Sequence, residues 1–214
     1  MKEKIGEVFS VTKDNIPIPG CTVSKSITAD IAYYSLASGT DISAEIYPYL
    51  KLFFVDSGKA EVYFQNRFFK CAAQECVLAP ADIPVGIRTD ENTVYTEITI
   101  KRGSIMNKMI NAGEVFKLAD LVPYSDGKIV NMDVVSNDKM KFVVMAFDEG
   151  CALSEHAAPG DALIFVLDGQ GIIGYEGKEH TIKAGESFRF AKGGRHYVKA
   201  PAKFKMALLI TLEN

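Results

Sequence analysis

Short apolar runs rich in β-branched and aromatic residues recur along the chain between turn signals. Residues 60–64 (AEVYF), 95–101 (YTEITIK), 141–147 (KFVVMAF) and 163–167 (LIFVL) are examples. Several are followed by Ser-Gly, Asp-Gly, Glu-Gly or Gly-Lys. Many short strands with regular turn punctuation predict an all-β sandwich or barrel. Long helical periodicity is missing. The best helix candidate is residues 104–110 (SIMNKMI), where Ile105, Met109 and Ile110 would share a face, so a short helical linker is expected there. The aromatic-rich stretch YFQNRFF at 63–69 reads as a contact surface or as an ordinary hairpin around Gln65–Arg67.

The pattern repeats. Gly39 set on Gly150 aligns GTDISAEIYPYLKLFFVDSG with GCALSEHAAPGDALIFVLDG without a gap, at an offset of 111. Ser43 falls on Ser154, Pro48 on Pro159, Leu52 on Leu163, Phe54 on Phe165, Val55 on Val166 and Gly58 on Gly169. The same offset puts Ala73 on Ala184 and Glu75 on Glu186. GEVF at 6–9 returns at 113–116 with an offset of 107, so a small indel separates each copy's opening from its main body. Two tandem domains are expected, 1–105 and 106–214.

Composition adds exclusions. The chain has 214 residues, 48% hydrophobic and 24% charged, enough for a substantial core. A net charge of −3 supplies no basic field for nucleic acid or anionic membrane. No apolar run is long enough to span a bilayer. The opening MKEKIGEVFSV lacks the apolar stretch of a signal peptide. Cys21, Cys71, Cys76 and Cys151 form no CxxC pair, and the expected setting is a reducing cytoplasm with free thiols. They read as small buried residues; Cys151, just after the Gly150 turn, is the one placed to matter chemically. Only His156, His180 and His196 can supply imidazole.

Those histidines carry a resemblance. Gly150 is followed by five residues, His156, then Ala158, Ala162 and Gly169; Gly185 is followed by five residues, then Ala191, Gly193 and His196. This resembles the two motifs of the cupin superfamily, whose first motif has H-x-H and a glutamate and whose second ends on a histidine. The resemblance covers the second half well and reaches the first through the repeat; it is nearest to small bacterial conserved-barrel cupins. It implies two double-stranded β-helix (jelly-roll) barrels in one chain, a bicupin. Family members hold Fe, Mn, Ni, Cu or Zn on three histidines and a glutamate. Here Ala158 and Ala162 stand at two of the four ligand positions. His156 and His196 then read as a metal pair completed by waters or Asp161, as a metal-free pocket for an organic ligand, or as core histidines. Asp161 faces inward only through a bulge. His180 lies off the motif and reads as a solvated strand residue.

Alternation places Phe188, Phe190, Phe204, Met206 and Leu208 on the interior of the second copy, below the histidines. Phe190 and Met206 join His156 and His196 as candidate ligand-binding residues. Arg195, Tyr197 and Lys199 flank the rim and would favour an anionic or hydroxylated ligand. In the first copy the ligand positions carry Glu45, Tyr47, Lys51 and Val85, which excludes an ordinary cupin metal site. A buried Glu45–Lys51 pair with Tyr47 as hydrogen-bond partner is one expectation, and both charges on the surface is the other. The first copy reads mainly as scaffold, or as half of a two-barrel unit. The opening segments at 6–9 and 113–116 are expected to cross to the other barrel, as N-terminal strands do in related cupin dimers.

Three functions follow. The first is a module binding a small molecule in the second barrel. The second is a metal-dependent enzyme of dioxygenase or isomerase type using His156 and His196 with Fe, Mn, Ni or Zn. The third is a protein that works by assembly, marked by a large exposed apolar patch. The expected partners are a small-molecule ligand and a second copy of the chain, with no nucleic acid and no membrane.

Overall fold

A computed structural model describes residues 5–212. The charged residues 1–4, part of the opening read as lacking a signal peptide, lie outside the described residues. The fold is all-β, in sheets of 10, 6 and 4 strands among the described residues, and no sheet is closed. No helix of the described residues is long and apolar enough to cross a membrane.

The chain divides into two compact units that interleave in sequence. One unit takes Val11–Ser104 and Lys108–Lys117. The other takes the opening up to Ser10, then Ile105–Asn107, then everything from Leu118 on. They are called here the first and second units, in the order of their main segments.

Strand pairing repeats residue for residue. In the first unit Asp41–Ile46 pairs with Pro84–Arg88, with Glu45 opposite Val85 and a register shift between Ile42 and Glu45. In the second, Ala152–Ala157 pairs with Arg195–Lys199, with His156 opposite His196 and the same shift between Leu153 and His156. The bulge turns Glu45 and His156 to face Val85 and His196 directly. The openings repeat as well. Val8 pairs with Phe188 in the second unit, and Val115 with Val77 in the first, so each unit's edge strand comes from the opening of the opposite sequence half. A short helical turn follows each opening strand, Val11–Asp14 and Leu118–Leu121.

The register also locates the indel. Ser26 pairs with Ala32, and Asp133 with Val143, an offset of 107 on one strand and 111 on its neighbour. The four additional residues therefore lie in the second unit's hairpin, where Val135 pairs with Phe142 and Ser136 with Lys141. The lengthened edge has an occupant: Ile105 pairs with Ser136 and Met106 with Val135. The expected linker helix is thus corrected to a two-residue strand. Its backbone groups bond across to this hairpin, with Asn107 N donating to Val134 O, and not four residues back along a helix. Ile105 and Met109 are exposed and Ile110 alone of the proposed face is buried.

Gly58 and Gly169 fix the bend of the longest strands. Both adopt left-handed φ, 78° and 71°. A Cβ on Gly58 would lie 2.4 Å from Asn92 O, and one on Gly169 2.0 Å from Lys203 O. Only glycine meets both demands. Beside them Asp56 and Leu167 are bulged out of register, between Ser57 and Val55 and between Asp168 and Val166. In the second unit one strand, Asp161–Tyr175, passes through this bend; in the first it divides into Leu50–Ser57 and Lys59–Phe64. The stretch 63–69 forms the hairpin, its turn at Gln65 and Asn66 with φ of 51° and 57°.

Each unit has its own core. The second packs Phe147, Phe188, Phe190 and Phe204 with Val143, Met145, Ile164, Val166 and Met206. The first packs Leu36, Phe53, Val55, Val62, Phe64 and Tyr95. Burying each large side chain contributes roughly 1.5–3 kcal/mol.

Candidate functional site

In the second unit the two histidines meet. Their ring centroids lie 4.2 Å apart with planes at 55°. His156 is exposed, and His196 is buried beneath it, stacked on Phe190 at 4.0 Å. His156 Nδ1 donates to Ser154 O at 2.9 Å and His196 Nδ1 to Gly194 O at 3.2 Å. A carbonyl only accepts, so in the neutral ring each bond places the proton on Nδ1 and leaves the Nε2 lone pair available. Burial holds the His196 pKa below the ordinary imidazole value, against the Gly194 carbonyl that favours the charged ring; the charge of His156 lowers it further. His196 is therefore neutral near pH 7, the form that accepts a hydrogen bond or a ligand.

A metal needs more than this pair. Ala158 and Ala162 are buried in the apolar core where two further ligands would stand. Asp161 does not turn inward: its carboxylate accepts from Arg189 at 2.9 Å and from the Lys192 backbone at 2.9 Å. No group of three His, Cys, Asp or Glu able to hold a metal ion occurs among the described residues. Two imidazoles without a third protein donor do not fit a resident divalent cation.

The interior below the histidines is more filled than the sequence suggested. Phe188, Phe190 and Phe204 are fully buried and pack on one another or on Phe147. Phe190 reaches the site through its stack on His196; Met206 is buried in the same core cluster, and Leu208 packs against it. The rim residues are engaged. Arg195 pairs with Glu155, and Tyr197 and Lys199 both donate to Glu179, so they do not form a free cationic rim. His180 is half-buried, with its ring 5.1 Å from Phe188. All four cysteines are free thiols, Cys71 and Cys76 buried and Cys151 half-buried.

The first unit departs from expectation in a more informative way. Lys51 is buried, but its partner is Glu97, Nζ to Oε1 at 2.9 Å, and no ion pair joins it to Glu45. Tyr47 lays its ring under the ammonium, 3.4 Å from the centroid, and donates its hydroxyl to the exposed Glu45 at 2.5 Å. Beside them Tyr34 stacks on Tyr95 at 4.8 Å and 2°. Tyr34, Tyr47, Lys51, Tyr95, Glu97 and Val85 are among the residues that line a cavity of about 20 Å³.

Registers show why the two interiors differ. Lys51 lies opposite Ala79, while Ala162 lies opposite Phe190. Each unit fills the same volume from a different strand, one with a lysine and the other with a phenyl ring. Tyr95 and Glu97 hold the positions of Met206 and Leu208. Motif reasoning missed Tyr34, Tyr95 and Glu97 because they lie outside both motifs. Carrying Met145, Met206 and Leu208 back by 111 residues would have found them.

Residues 143–212 match the family model described as Cupin domain. A Cupin 2 conserved barrel domain protein from Leptotrichia buccalis is similar in structure, with 27% sequence identity, a TM-score of 0.88 and 98% of each chain covered. A salicylate 1,2-dioxygenase from Pseudaminobacter salicylatoxidans shares the fold at 10% identity and a TM-score of 0.64, covering 89% of this chain and 76% of that one. A mutant of Bacillus subtilis oxalate decarboxylase shares it at 11% identity and a TM-score of 0.56, covering 99% and 78%. No curated protein matches the chain. The family match and these neighbours support a cupin fold.

Proposed function

We propose, starting from that fold, that the chain is a tandem two-domain cupin whose second unit binds a small organic ligand through His156 and His196 without a resident metal. One observation carries this reading: two imidazoles lie side by side with both Nε2 atoms uncommitted, while alanines occupy the remaining ligand positions. Such a pair accepts two hydrogen bonds from one ligand, with Phe190 as an apolar floor. A ligand bearing adjacent hydroxyl or amide donors suits it. The metal-dependent enzyme remains the competing reading, since cupins carry many such chemistries and the fold alone does not choose among them.

The test uses the fact that the chain has three histidines. Imidazole proton signals assigned with His156→Ala and His196→Ala are followed by NMR during a screen of small diols and amides. Shifts of the His156 and His196 signals, with His180 unmoved, support the reading. Elemental analysis follows on protein incubated with Mn, Fe, Ni or Zn. Near-stoichiometric metal that is lost in the double variant would overturn it in favour of the enzyme.

A further inference from the structure

We propose that the first unit is a second binding site, in which Lys51 and Tyr95 take the oxygen of a small uncharged organic molecule, and not scaffold alone. This stands apart from the histidine reading, because none of its residues belongs to that pair.

Tyr95 is fully buried, and its hydroxyl has no hydrogen-bond partner in the protein. Buried polar groups are nearly always satisfied, and an exception calls for a ligand or water in reach. This hydroxyl belongs to a residue lining a cavity of about 20 Å³, and a single water-sized group needs roughly 10–15 Å³. The cavity therefore admits one oxygen-bearing group. Burial and the neighbouring Glu97 hold the Tyr95 phenol well above its ordinary pKa, so it stays protonated and donates. Lys51 carries three N–H donors; Glu97 and the Tyr47 ring engage two sides of it, and a donor remains.

Charge selects the class. Lys51 and Glu97 neutralise one another, so an anion finds no net positive charge. A cation meets the ammonium. An uncharged carbonyl or amide oxygen, accepting from both Tyr95 and Lys51, fits without disturbing the pair. Ile42, Phe53 and Ile87 supply apolar walls. Tyr34, Ile42 and Tyr47 are half-buried and form the side on which the rest of the molecule would lie. The second unit replaces these polar groups with Met145, Ala162, Met206 and Leu208, so the polarity belongs to the first unit and not to the shared fold.

Benzamide is the probe, with toluene and benzoate as its oxygen-free and anionic counterparts. Binding is read by saturation-transfer NMR and by tyrosine fluorescence, which is clean because the chain has no Trp. Benzamide should bind, benzoate more weakly and toluene not measurably. Tyr95→Phe should weaken benzamide about tenfold, the scale of one hydrogen bond in a buried site. Lys51→Met combined with Glu97→Leu, which removes both charges together, should weaken it at least as much. The His156→Ala, His196→Ala double variant should leave it unchanged. Equal binding to Tyr95→Phe, loss in the histidine variant, tighter benzoate than benzamide, or no benzamide binding would each overturn the proposal.

Discussion

Lys51 and Glu97 form an ion pair inside the first unit, Nζ to Oε1 at 2.9 Å, on two strands whose second-unit counterparts present Ala162 and Leu208. The same fold thus tolerates a charged pair and an apolar pair at one place. Both charged side chains are largely buried, so removing one leaves the other stranded. Lys51→Met alone should destabilise the protein by about 3–5 kcal/mol, and adding Glu97→Leu should recover most of that loss. Chemical denaturation of the two variants checks it.

Tyr95→Phe should act in the opposite direction. It removes a buried hydroxyl without a protein partner and keeps the ring that stacks on Tyr34. An unsatisfied buried polar group costs about 1–3 kcal/mol, so the variant should gain about 1 kcal/mol and melt a few degrees higher by calorimetry. Gained stability with lost benzamide affinity is the mark of a binding residue.

Asp56 gives the protein a pH dependence. It sits at the bulge beside Gly58, and burial raises its carboxyl to about 7 although Thr96 donates to it at 2.8 Å. The folded protein therefore holds this proton more tightly than the unfolded chain. Stability from Asp56 is full below about pH 4 and is lost as pH rises through 7. Asp56→Asn should flatten that decline between pH 4 and 8 and be more stable than the parent at pH 8, as read from denaturation midpoints.

The bend glycines should be intolerant of a methyl group. Gly169→Ala combines a left-handed φ with a clash on the Lys203 carbonyl and should cost about 2 kcal/mol or more. Gly177→Ala shares the positive φ but meets no atom within 4 Å, and should cost about 1 kcal/mol. Thermal melts of the two variants separate strain from collision.

Much of the fold was legible because a gapless repeat is a strong signal. The offset of 111 between residues 39 and 150 reappears in the pairing of Glu45 with Val85 and of His156 with His196. The helix at 104–110 was misread because spacing of apolar residues says nothing about a sheet edge waiting elsewhere in the chain. That edge exists only because of the hairpin extension, whose position no single window of sequence reveals. That His156 and His196 approach one another was readable from motif spacing. The partner of Lys51 was not, since Glu97 lies 46 residues further on and strand register alone brings the two together.

The reciprocal edge strands bear on how this protein can be taken apart. Val8–Phe9 completes a sheet built from the end of the chain, and Val115–Lys117 completes one built from its beginning. During synthesis the first unit waits for residue 117 before its sheet is whole, while Val8 and Phe9, made almost at once, stay without their partner until residues 187 and 188 emerge. A cut near residue 105 leaves each fragment lacking an edge strand and exposing a row of unpaired backbone groups, a template for aggregation. Fragments meant to fold alone need their missing strand grafted back, Val115–Lys117 onto the first and Val8–Phe9 onto the second.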